Sequence, residues 1–163
     1  MADATNGRND EPAPAAAQTI EVQVLGQFIK DLSFENPSAG RQVRAPDDTP
    51  SLKLDINVRA HRVENEIFES AIEFNAQATS KAGIIYELEL VYAGLFRIKN
   101  IAEHALQPFL LINCPTLMFP FVRRLVADIT REGGFPPLLL DPLDFAGLYM
   151  HRQQEEMAGR APN

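Results

Sequence analysis

The residues able to do chemistry are few and scattered. Cys114 is the sole cysteine, so it has no partner for an intrachain disulfide. It could act as a nucleophile only as the thiolate. Its place before an apolar helical stretch instead reads as a small buried hydrophobe. His61, His104 and His151 are far apart, and none lies at metal-ligand spacing from another His or from the cysteine. Glu87 and Glu89 are two carboxylates on one face of a strand, the kind of pair that acid–base cleavage of a glycosidic bond uses. They stand, however, among other acids on a face that alternation makes open and wet. There is no Gly-rich phosphate loop and no Gly-x-Ser-x-Gly elbow. The residues therefore supply no catalytic group, no metal site and no cofactor site. They point to a binding protein rather than an enzyme.

Composition narrows the partners. The chain has 163 residues, with 22 acidic against 15 basic ones and a formal net charge of −7. That balance excludes nucleic acid as a main partner, since phosphate binding needs clustered Lys and Arg. A hydrophobic fraction of 45% suits a single globular domain. The polar start, Met1 to Asn9, and a short Ala-rich stretch broken by Pro14 do not make a signal peptide. No uninterrupted apolar run is long enough to enter a bilayer. With one cysteine, a reducing compartment follows, and the cytoplasm is the expected location. Residues 1–18 read as a disordered tail, 19–154 as the folded domain and 155–163 as a flexible tail.

The elements that would position any site change character once. Ile20, Val22 and Val24 alternate with polar residues, as do Leu52, Leu54, Ile56 and Val58; Phe68, Ile72 and Phe74; and Ile84, Tyr86, Leu88, Leu90 and Tyr92. Strict alternation predicts strands with one dry and one wet face. Glu64–Glu66 and Ser80–Gly83 are short enough for hairpins. The Pro-rich join from Asn36 to Pro50 demands a crossover. After the last strand the period is near four: Leu117, Phe121, Leu125 and Ile129 mark an amphipathic helix ended by Gly133-Gly134. Pro120 places its regular start at residue 120. Asp141-Pro142 reads as the start of a second helix carrying Phe145, Leu148 and Tyr149. The fold class is α+β: a four-stranded antiparallel Greek-key sheet with helices packed on one face.

Two features exceed the needs of a small core. Phe135-Pro136-Pro137-Leu138-Leu139-Leu140 is an extended connector far more apolar than surface connectors usually are, and it suits a groove for nonpolar peptide. The wet face gathers Glu21, Asp31, Asp55, Glu69, Glu73, Glu87 and Glu89, either as a solvated face or as a dock for a basic partner. There is also more apolar sequence than one thin layer can bury, which self-association would cover.

The stretch NCPTLMFPFVRRLVADITREGGFPPLLLDPLDFAGLYM, Asn113 to Met150, resembles the SecB family of bacterial protein-export chaperones. So do KDLSFENP, Lys30 to Pro37, and YAGLF, Tyr92 to Phe96; the resemblance runs from about Thr19 to Gln154. It implies a cytoplasmic homotetramer, a dimer of dimers, that needs no cofactor. It also implies that the protein binds unfolded precursors and hands them to the SecA motor, without entering the membrane. Carried onto this sequence, the client groove would draw on Leu52, Leu54, Ile56, Phe135, Leu138, Leu140, Phe145, Leu148 and Tyr149. SecA contacts would be Asp31, Glu35 and Glu89. The oligomer interface would involve Leu88, Leu90 and Tyr92 and, on the helix, Phe121 and Leu125. The chain departs from the family pattern in having no tryptophan near Asp47–Pro50. The alternatives from other classes are a small apolar-ligand carrier, with the groove closed into a pocket, and an enzyme using Cys114.

Overall fold

The computed structural model describes residues 18–37, 39 and 49–160; the first tail up to residue 17, most of the crossover and residues 161–163 lie outside them. Alternating sequence becomes four long strands: β1 (Glu21–Glu35), β2 (Ser51–Glu64), β3 (Ile67–Ser80) and β4 (Gly83–Lys99). They form one antiparallel sheet in the order β1-β4-β3-β2, the Greek-key arrangement that the long first connection and two tight hairpins impose. The second hairpin closes at Gly83, whose φ of +123° only glycine adopts readily.

β1 does not keep simple alternation. Its pairing with β4 skips Leu25 and Lys30, a bulge at each place. A bulge reverses which face the following residues occupy. The two reversals cancel, so Asp31, opposite Val91, shares the outer face with Glu21, opposite Lys99. Between the bulges Phe28 is turned outward, opposite Ala93, although plain alternation assigns it to the dry face.

The helical layer is longer than the sequence indicated. It starts at Glu103, not at Pro120: α1 (Glu103–Pro108) leads through a π-helical turn (Phe109–Asn113) into α2 (Cys114–Glu132). Pro108, Pro115 and Pro120 lie along this run. A proline inside a helix lacks its N–H and crowds the carbonyl four residues back. Here a wider π turn covers Leu111, the residue on which Pro115 would press, and the helix continues instead of breaking. Joined, Glu103–Glu132 is long and apolar enough by composition to cross a membrane, contrary to the sequence reading. The reason is that α2 is apolar on two sides. Cys114, Met118, Val122, Val126 and Thr130 are buried against the sheet, whereas Leu117 and Phe121 are exposed.

α2 ends in a glycine cap. Gly134 takes φ +86°; its N–H donates to the Arg131 carbonyl and that of Phe135 to the Thr130 carbonyl, the paired pattern that satisfies a helix C-terminus. The last helix, α3 (Phe145–Gly159), starts four residues after the expected Asp141-Pro142 signal. Asp144 caps it, accepting from the Gly147 N–H at 3.0 Å, and Asp141–Leu143 stays extended. α3 also runs beyond Gln154, into the expected tail. His151–Glu155 and Arg152–Glu156 contacts at 3.5 and 3.4 Å have the i,i+4 spacing that supports an exposed helix.

The core lies between one sheet face and this layer. Phe68, Ile72, Phe74, Leu88, Leu90, Phe96 and Ile98 pack under Leu110, Cys114, Met118, Val122 and Val126. Ser70 fastens the π turn to β3 by donating to the Leu110 carbonyl at 2.9 Å.

Candidate functional site

The dry-face row of β2 passes from exposed to buried along its length. Leu52 and Leu54 are exposed, Ile56 is half-buried, and Val58 is 8% exposed. Above the buried end lie α3 and the π turn, and the space between them is a trough. One part, about 470 Å³, is lined by Ile56, Val58, Leu111, Phe145, Leu148 and Tyr149. A second part, about 590 Å³, lies between β2 and α1 over Ala60, Phe68, Leu106 and Leu110. Val58, Leu111, Tyr149 and Arg152 border both. The first part is the more apolar and suits nonpolar chain segments; the second is lined as much by charged and amide groups, among them Arg59, Arg62, Glu103 and Glu156, as by apolar ones.

Of the residues expected to meet a peptide, Ile56, Leu148 and Tyr149 converge here, and Leu52 and Leu54 extend the same row beyond it. Phe145 contributes to one wall but is 2% exposed, and its ring meets Phe119 edge-on at 5.5 Å. The connector divides. The Leu138 N–H donates to Thr130 Oγ1 at 2.9 Å, while that hydroxyl donates to the Val126 carbonyl at 2.8 Å. This pins an extended chain with Leu138 and Leu140 inward and Leu139 outward. Leu140, expected in the groove, is core instead at 7% exposure, and Leu139 is the exposed one at 76%. Phe135 joins Phe34 and Tyr86 in an aromatic cluster with centroids 4.9–6.5 Å apart.

The trough's second wall was not found from sequence, because α1 was not recognised as a helix. Leu106 and Leu110, four residues apart, are the signal that was there. Arg152 carries no such signal.

The outer sheet face separates into two regions. Glu69 is bridged to Lys30 at 2.6 Å, and Glu73 is paired with Arg59 and accepts from Asn57. Glu35, Glu87 and Glu89 lie at the other end, and Asp31, level with Glu73 across β4, borders both regions. Glu35 faces Glu87 directly across β1 and β4, and among the described residues none of these four is ion-paired. Asp31, Glu35 and Glu89 are all exposed. Like charges set side by side without cations cost stability, so this end is poised for a basic surface.

Two apolar surfaces stay uncovered on the helix side. On β1, Val22, Val24, Ile29 and Leu32 are 40–44% exposed. On α2, Leu117 and Phe121 are exposed, the Phe121 ring stacking on Tyr92 of β4 at 6.4 Å, while Leu125 is half-buried. Leu88 and Leu90, expected at an interface, are core residues at 0% and 1% exposure; Tyr92 is 8% exposed, with the exposed Phe121 ring beside it. Burial raises the Tyr86 and Tyr92 hydroxyls above their ordinary range and pushes the Cys114 thiol up to about 12. Cys114 is thus a fully buried neutral thiol, unsuited to nucleophilic work. Among the described residues no His/Cys/Asp/Glu group could hold a metal.

Comparison with known proteins agrees with this arrangement. The family profile described as preprotein translocase subunit SecB matches residues 15–156. The protein-export protein SecB of Maricaulis maris is 47% identical over 162 residues, covering 99% of this chain and 92% of its own. That of Xanthobacter autotrophicus is 46% identical over 149 residues, with 91% and 94% covered. Among solved structures, a SecB-like chaperone of Mycobacterium tuberculosis, in complex with a peptide from an antitoxin, matches with a TM-score of 0.55 at 19% identity. It covers 75% of this chain and 90% of the other, and it shows that the fold is shared.

Proposed function

The chain belongs to the SecB family of export chaperones, and from that premise we propose that its trough and β2 row hold unfolded secretory precursors in the cytoplasm, without ATP, for delivery to the SecA motor. The family is not an enzyme class. The observation that carries the reading is the open trough between β2, the π turn and α3, walled by Ile56, Leu111, Leu148 and Tyr149. Apolar client segments leave water there at about 25 cal/mol per Å². Folded proteins offer no such segments, which supplies selectivity without a sequence motif.

The carrier alternative needs a closed pocket, and this trough is open along one side. A tetramer, built as a dimer of dimers, accounts for the uncovered β1 edge and the second stripe of α2: the first suits pairing with a copy of itself, the second helix-on-helix packing. Several troughs on one assembly then act on one client chain and multiply weak contacts. The unpaired acids Asp31, Glu35 and Glu89 supply the surface for SecA, with Glu87 beside them.

The test pairs two variants. Leu148→Asp with Tyr149→Asp should abolish the protein's ability to block refolding of a denatured precursor, with SecA binding retained. Asp31→Arg with Glu89→Arg should do the reverse, weakening SecA binding about tenfold at low salt. Undiminished client holding in the first variant would sink the trough assignment, and equal loss of both activities in the second would sink the docking face.

A further inference from the structure

Arg152 lies where the two parts of the trough meet. Its Nη1 donates to the Val58 carbonyl at 3.1 Å and to the Asn57 side-chain oxygen at 3.3 Å. Its Nε lies 3.4 Å from a Glu156 carboxylate oxygen, which orients the guanidinium from within α3. Among the described residues, the hydrogen bonds that tie α3 to the sheet are both Arg152's. Phe145 is the one residue buried in α3. The helix is therefore anchored at its first residue, rests on the π turn through half-buried Tyr149, and is fastened to the sheet at its eighth.

The acceptors are telling. Among the described residues β2 pairs only with β3, which leaves its other edge open. Open strand edges carry free carbonyls and amides that attract extended chain. Arg152 occupies one of those carbonyls with a group that bonds as a backbone N–H would. It also borders both parts of the trough, together with Val58, Leu111 and Tyr149. The side chain is 48% exposed, so it holds through weak, screened, water-competed bonds and can be replaced.

We propose that Arg152 is a latch at the trough: it closes α3 onto the open edge of β2 and is displaced by a bound client. This rests on the trough's role in client binding. When the latch opens, the Val58 carbonyl and the Asn57 side-chain oxygen are freed for the client's own donors. A closed latch lowers apparent affinity by the fraction of molecules that are open.

The experiment uses the full-length chain with Arg152→Met, which keeps the stem and loses the donors, and Arg152→Lys, which keeps the charge but cannot reproduce the fork. Hydrogen–deuterium exchange should rise about three- to tenfold over residues 148–159 in Arg152→Met, as expected for losing hydrogen bonds of this kind. Exchange in β3 and β4 should not change. The binding probe is reduced, carboxymethylated α-lactalbumin, a permanently unfolded chain. Its affinity should tighten in Arg152→Met by about the same factor, and in Arg152→Lys by less but in the same direction, which separates the latch from a change in net charge. Unchanged exchange in α3 would overturn the latch. Faster exchange with unchanged or weaker probe affinity would overturn displacement by client. If the wild type failed to hold the probe while α3 loosened as stated, the client-binding reading would fall and the latch on α3 would stand.

Discussion

Thr130 offers the sharpest test of how the connector is held. It is fully buried near the end of α2, and its hydroxyl both donates to Val126 and accepts from the Leu138 N–H. Thr130→Val keeps the shape and removes the hydroxyl. The donor side costs little, because the Val126 carbonyl is already an acceptor within the helix. The acceptor side costs more, because the Leu138 N–H is left partly buried without a partner. An orphaned donor of this kind costs about 1–3 kcal/mol. With a urea slope of about 2 kcal/mol/M for a domain of this size, the unfolding midpoint should fall by about 0.5–1.5 M. Thr130→Ser keeps the hydroxyl and loses a methyl, and should cost about 1 kcal/mol through packing alone. Both are compared with wild type at one protein concentration, since assembly would shift the midpoint. Thr130→Val should also raise amide exchange over residues 135–140. If it matched wild type in both midpoint and exchange, the hydroxyl would not be what pins Leu138, and the inward placement of Leu138 and Leu140 would need another cause.

Three further outcomes follow from packing and burial. A Cβ on Gly94 would lie 2.7 Å from the Phe96 ring and 2.8 Å from Met118 Sδ, so Gly94→Ala should cost about 1–3 kcal/mol by overpacking, read as a drop in Tm of roughly 3–10 °C. Because burial raises the Cys114 thiol from its ordinary 9.0 to about 12, its contribution to stability is complete below pH 9.0 and lost progressively as pH rises towards 12; iodoacetamide at pH 8 should label it only in urea, and labelling of the native protein would refute the burial. Phe121→Asp should dissociate the proposed tetramer with the circular dichroism spectrum intact, as followed by sedimentation velocity; a mass unchanged from a tetrameric wild type would remove α2's second stripe from the interface.

The acidic face, the dry rows, the hairpins and the Gly133-Gly134 stop were legible in the sequence because each rests on local rules: alternation, turn residues, backbone freedom. The helical run was only half legible. Three prolines broke the pattern, and whether Pro115 ends a helix or is accommodated within it depends on the sheet beneath, which holds the π turn through Ser70. The start of α3 was misplaced because two Asp signals compete three residues apart, and packing of Phe145 against Phe119 favours the second.

What the sequence determined by itself was the inventory: which residues are apolar, in what period, and the family to which Asn113–Met150 points. Tertiary structure decided allocation. The repeat Leu117, Phe121, Leu125, Ile129 is real, but a helix apolar on two sides does not say which side it lays on its own sheet; the sheet took Met118, Val122 and Val126. Leu138, Leu139 and Leu140 are chemically alike, and one hydroxyl, Thr130, sets which of them faces water. Arg152 is one arginine among several in the sequence, and only the approach of α3 to β2 places it on the Val58 carbonyl. Local rules name what each residue prefers, and contacts between residues distant in sequence select among equal preferences.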